Sequence, residues 1–359
     1  MKQRIAAAIV LVLALGLLGC SGEQEAEPEQ KQTENPEIAM ITPDSEMESG
    51  SFEETVWNEI SAFAEERELE SRIFPSESQT KKAYLTAIDE AVQQGVKMIV
   101  LPGESFESAA YEAQSAYQEV SFLLVDGIPH SEKNQYAVAE NTVGIVFAEE
   151  EAGYLAGYAA VKDGYTKLGF IGGEAIPSIK RYGYGYMQGA AAAAAEMKTK
   201  VEMKYRYAQS SEESEEVQDV SAGWYGNGTE VIFVCGGTLN RSVIKAAEEQ
   251  RGKVIGSDVD QSHLSDLVIT SAEKGISVAV EKVLTEYAND RFVGGTAFNY
   301  AAKNDGVMLE IQNARFSVFG QEEYEKLYQQ LKNGKIKLKK DTEVKSVSEL
   351  KGDWITIKE

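Results

Sequence analysis

Three aspartates stand where apolar runs end. Asp44 follows Ile38–Thr42, Asp126 follows Phe122–Val125, and Asp258 follows Val254-Ile255-Gly256. Phe52 opens the helical-period segment behind the first run, and Phe106 comes just after Pro102-Gly103. Carboxylates accept hydrogen bonds from hydroxyls, and flat rings cover an apolar ligand face. The set therefore suits a polyol or a nucleoside, held by a few polar groups in an otherwise apolar cleft. Any single Asp in such a place can equally cap a helix or fix a loop. Three at successive strand ends argue for a site. Catalytic signatures are lacking: the two histidines, His130 and His263, lie in unrelated contexts, and no H-E-x-x-H, Cys/His cluster, G-x-S-x-G or G-x-x-x-x-G-K-[ST] occurs. Gly183-x-Gly185 falls within a helical segment after Pro177, so it is no dinucleotide fingerprint. The expectation is a binding protein, with no catalytic residue, metal or cofactor.

The elements that would position these residues are legible as an alternation. Apolar runs recur at Ile38–Thr42, Ser71–Pro75, Met98–Pro102, Phe122–Val125, Lys167–Ile171, Val201–Tyr207, Val231–Cys235, Lys253–Ile255 and Leu267–Ile269. Between most of them lie segments of helical period, such as Phe52, Val56, Ile60 and Phe63 at i, i+4, i+8 and i+11. Strands alternating with helices predict βαβ units and parallel sheets, an α/β fold. Gly or Asp-Gly turns close several runs, at the carboxyl edge where open parallel sheets bind ligands. The helix beginning at Glu149 reads as the opening of a second lobe. Trp224 reads as core, and the Lys-rich stretch from Lys332 to Lys340 as a solvated face.

The 359 residues carry a formal charge of −23, which repels nucleic acid and anionic headgroups. With 43% hydrophobic residues there is material for a large core. Lys2 and Arg4 precede an apolar stretch from Ile5 to Leu18, shorter than the ~20 residues that cross a bilayer, so the N-terminus reads as a signal sequence. Leu17-Leu18-Gly19-Cys20 resembles the lipobox of bacterial lipoproteins, which implies that residues 1–19 are removed and Cys20 is lipidated. Residues 20–37, rich in Glu, Gln and Pro, read as a disordered tether. Cys235, left alone within an apolar run, reads as a small buried strand residue.

Beyond composition, ordered motifs carry a resemblance. They include Gly50-Ser51-Phe52, Val125-Asp126-Gly127, Glu151-Ala152-Gly153-Tyr154-Leu155-Ala156-Gly157-Tyr158, Gly169-Phe170-Ile171-Gly172-Gly173, Cys235-Gly236-Gly237, Val254-Ile255-Gly256-x-Asp258 and Thr270-Ser271-x-x-Lys274. From about Ile38 onward the chain resembles the basic membrane protein family, the substrate-binding lipoproteins of ABC importers, whose best-known members are purine-nucleoside receptors. The resemblance implies a type I periplasmic-binding-protein-like architecture: two lobes, each a parallel sheet flanked by helices, with the ligand cleft between them. On this plan residues 38–145 form the first lobe, joined by about 262–298, and 146–261 form the second, joined by about 299–359. It also implies permease and ATPase partners on separate chains, and attachment to the outer face of the cell membrane through the lipid.

The family's cleft residues carry over as Asp44, Phe52, Asp126, Gly236 or Gly237, Asp258 and Lys274. The resemblance assigns the ribose to Asp258 and Lys274, the base edge to Asp126 and one stacking face to Phe52. Two positions depart: Glu53 stands where the family has Asn, and Ser211 where it has a second stacking Phe. A nucleoside is the first ligand expected. A sugar-like ligand read by a membrane sensor kinase is the alternative.

Overall fold

A computed structural model describes residues 36–45, 47–350 and 352–358. The stretch read as a signal sequence, Cys20 and nearly all of the expected tether lie outside the described residues. Pro36 and Glu37, expected in the tether, pack on the fold: Pro36 is buried and Glu37 accepts a hydrogen bond from the Tyr287 hydroxyl at 3.1 Å.

The first sheet has six strands: β1 (Ile38–Thr42), β2 (Ser71–Pro75), β3 (Met98–Pro102), β4 (Ser121–Val125), β5 (Thr142–Phe147) and β11 (Thr296–Tyr300). They run parallel throughout, in the order β11-β5-β4-β3-β1-β2. The second sheet holds β6 (Lys167–Gly172), β7 (Val201–Tyr207), β8 (Val231–Cys235), β9 (Lys253–Asp258), β10 (Val268–Lys274), β12 (Val307–Leu309) and β13 (Ile355–Lys358), in the order β12-β10-β9-β8-β6-β7-β13. Only β12 pairs antiparallel in it. Central strands buried on both faces need continuous apolar runs, and β1, β3 and β8 are buried along their whole length. Cys235 sits buried in β8 with its thiol free.

The nine apolar runs all prove to be strands, but β5, β11, β12 and β13 were not anticipated. The boundary between lobes also differs. The stretch 262–298 was assigned to the first lobe, yet β10 stands in the second sheet, so the return begins at helix α8 (Ile276–Ala288) and continues into β11.

Several helices have a visible local cause. In α1 (Phe52–Glu66) the Ser51 side chain caps the Glu54 amide, Glu53 and Glu54 suit the positive end of the dipole, and Val56, Ile60 and Phe63 face the core. Thr80 caps α2 (Lys81–Gln93), α3 spans Glu107–Ala116, and Ser214 caps α6 (Glu215–Gly226). Helix α7 covers Leu239–Gln250 and α9 covers Gln321–Lys332. Helices α4 (Glu149–Lys162) and α5 (Pro177–Met197) pack most closely. Gly153 and Gly157 lie against the Tyr182 and Tyr186 carbonyls, while Gly185 and Gly189 lie against those of Glu150 and Tyr154. A β-carbon at any of the four would collide with the facing backbone. Among the described residues no helix is long and apolar enough to cross a membrane.

Candidate functional site

The carboxyl ends of the two sheets enclose a cavity of about 450 Å³. The first lobe contributes Asp44, Phe52, Glu53 and Asp126, and the second contributes Ser211, Gly236, Gly237 and Asp258. Asp126 and Asp258 occupy matching places, each at the end of a strand with a left-handed backbone, φ 67° and 70°. A non-glycine residue rarely adopts that conformation, and such outliers gather at functional sites. Gly236 and Gly237 turn the chain out of β8 at φ 125° and 40°. A β-carbon on Gly236 would come within 2.9 Å of the Ser211 hydroxyl, so the turn is tight against Ser211. Asp44 is exposed at the rim, where Gln79 donates to its carboxylate at 2.8 Å.

Lys274 reaches the site from the end of β10 and holds it together. Its Nζ lies 2.6 Å from Asp126 Oδ2, 2.8 Å from Asp258 Oδ1 and 3.7 Å from Glu149 Oε1. The rings of Phe52, Phe147 and Tyr182 surround it at 5.8, 5.7 and 5.5 Å. Burial works against its charge, but Asp126, Asp258 and their neighbours outweigh that and hold the ammonium well above its ordinary pKa. The Tyr182 hydroxyl donates within 3.2 Å of Asp258 Oδ1 and of the Ala272 carbonyl, which fixes the ring beside the lysine.

The surrounding carboxyls are pushed up, in each case chiefly by burial. Glu53 is raised, with Asp258 and Glu48 adding to the effect while Ser51 opposes it. Asp126 is raised despite the attraction of Lys274. Glu104, in the 3-10 turn Glu104–Phe106, rises to about 7 with Asp126 as the next cause, and Glu149 rises to about 8. Behind the cleft, Arg181 lies 3.5 Å from Glu149 and 2.9 Å from Asp341. A further ion pair, Arg241 with Glu48 at 2.5 Å, joins the lobes across the mouth.

Asp44, Phe52, Glu53, Asp126, Gly236, Gly237 and Asp258 gather here, with Lys274 behind the lining. Phe106 does not. It is fully buried in the core of the first lobe, at the end of the 3-10 turn, against Tyr84 with ring centroids 4.1 Å apart. Trp224 is half-buried against Gly169 on α6, outside the lining. Tyr182, Glu104, Glu149 and Arg181 were not anticipated. Only Glu149 carried a signal, as the first of three acids opening a helix, and that pattern reads as dipole complementation.

Comparison with known proteins bears on the family and the fold. The family model described as "ABC transporter substrate-binding protein PnrA-like" matches residues 36–348. The chain is 28% identical over 339 residues to the ABC transporter nucleoside-binding protein BmpA of Lactococcus lactis subsp. cremoris, covering 88% of this chain and 93% of that one. It is also 28% identical over 309 residues to basic membrane protein A of Borreliella afzelii, covering 84% and 89%. Among solved structures, an ABC transporter solute-binding protein from Aeropyrum pernix superposes with a TM-score of 0.72 at 20% identity, covering 87% of this chain and 96% of that one.

Proposed function

The chain belongs to the PnrA-like family of ABC transporter substrate-binding proteins, and on that footing we propose that it is the lipid-anchored, extracytoplasmic receptor of a nucleoside importer. Such proteins bind a small ligand and work with permease and ATPase components; they are not enzymes. The observation that carries the nucleoside reading is the pairing of Phe52 with the Asp126–Lys274–Asp258 cluster inside one cavity. The ring offers a stacking face for a base, and the charged cluster offers both acceptors and donors to ribose hydroxyls. A relative carrying nucleoside binding in its name supports the same ligand class.

Transport requires that the ligand favour the closed arrangement over the open one. Ligand groups bridging Asp126 of the first lobe and Asp258 of the second would do so. The anchor at Cys20 rests on the lipobox resemblance, and Cys20→Ala should release the protein from the membrane fraction.

The test is a thermal-shift screen of nucleosides, free bases and sugars. A ligand at a hundred times its dissociation constant adds about 2.7 kcal/mol of stability. A shift with nucleosides supports the reading, and Asp258→Ala should then weaken binding by about tenfold or more. A shift with sugars alone, or unchanged affinity in Asp258→Ala, would count against it.

A further inference from the structure

Glu53 is the second residue of α1, next to Phe52, and it lines the cleft. The two aspartates at the floor already have a cation: Asp126 and Asp258 share Lys274 at 2.6 and 2.8 Å. At the mouth, Arg241 is taken by Glu48. Among the described residues no lysine, arginine or histidine makes an ion pair with Glu53. Its surroundings are the Ser51 hydroxyl, its own helix amide, and the negative charges of Glu48 and Asp258.

Glu53 and Asp258 come from opposite lobes and line the same cavity, so closing the cleft brings two acids towards each other. A ligand that places hydrogen-bond donors against Glu53 removes that penalty, and one that presents an acceptor there adds to it. We infer that Glu53 is a specificity-determining residue, and that the cleft prefers a base edge bearing two adjacent N–H donors, as guanine has, over the single donor of hypoxanthine. The inference rests on the nucleoside reading and adds to it the edge that is selected. Two parallel N–H groups meet both oxygens of one carboxylate, a geometry stronger and more directional than a single bond. Burial raises the Glu53 carboxyl, as expected of an acid awaiting its donors.

Calorimetry on the full chain in detergent, with guanosine and inosine as probes, tests this. Guanosine should bind about tenfold more tightly than inosine. Glu53→Gln replaces one acceptor oxygen with a donor; it should weaken guanosine by about tenfold and change inosine by less than about threefold. Retained inosine binding shows that the variant is folded. Equal affinities in the unchanged chain overturn the preference and leave the nucleoside reading standing. So does a Glu53→Gln chain that loses both ligands alike, since Glu53 would then serve the ribose or the fold. Binding of neither nucleoside to the unchanged chain overturns both.

Discussion

Lys274 and Asp126 end strands of different sheets, yet the ammonium and the carboxylate lie 2.6 Å apart. The lysine side chain is 3% exposed and is shared with Asp258, so one cation joins the lobes at the floor of the cleft. Removing it leaves buried carboxylates without their counter-charge. Lys274→Met should cost about 3–5 kcal/mol of folding stability and abolish ligand binding. Denaturant unfolding checks the first and calorimetry the second. A chain as stable as the original would show that the cluster tolerates its own negative charge.

Two phenylalanines that look alike in the sequence should part company. Phe52→Ala removes a half-buried stacking face and should weaken a nucleoside by about 1–3 kcal/mol with little change in stability. Phe106→Ala empties a fully buried site and should cost about 3–5 kcal/mol of stability. Melting curves and titrations on both variants separate the two roles, and the opposite pattern would mean the ring assignments are reversed.

The raised carboxyls predict an unusual pH profile. Glu104 and Glu149, ordinarily near 4.5, stand at about 7 and about 8, burial being the main cause. An acid with a raised folded pKa holds its proton more tightly folded than unfolded. Its contribution is therefore full below about 4.5 and lost as pH rises through 7 to 8. Between about pH 5.5 and pH 8.5 the melting temperature should fall, and Glu104→Gln should fall less. An identical profile in the variant would remove Glu104 from the account.

Close packing of α4 on α5 makes a fourth expectation. Gly157→Ala forces a methyl group into the Tyr186 carbonyl and should cost about 1–3 kcal/mol or more. Because Glu149 begins the same helix, ligand affinity should drop with it. Gly223→Ala on α6, which meets nothing within 4 Å, is the control and should stabilise by about 0.5–1 kcal/mol through helix propensity.

How far the sequence could be read follows from where each interaction lies along the chain. Strands such as Met98–Pro102 are local runs of apolar residues, and their turns announce Asp126 and Asp258 within a few positions. Edge strands are harder to see: β11 reads Thr-Ala-Phe-Asn-Tyr, with Phe298 and Asn299 exposed, so no apolar run marks it. Lys274 was reached only through family resemblance, since Asp126 is 148 residues away. The pairs Arg181–Asp341 and Lys340–Glu150 are as distant; in the lysine run Lys335, Lys337 and Lys339 are exposed as expected, and Lys340 departs. Alone of the pair, Glu150 is buried, at 3% exposure, so the lysine serves an interior acid rather than a solvated face.

The threading of the chain through both sheets sets the order in which the molecule can be built. Strand β5 remains an unpaired edge until β11 arrives, and β7 remains one until β13 does. Each half is thus finished by a segment made after most of the other, so neither can mature alone as it emerges. A chain stopped before Thr296 would leave β5, β7 and β10 without the neighbours that cover them, and open edges are the surfaces on which sheets pair with the wrong neighbour and aggregate.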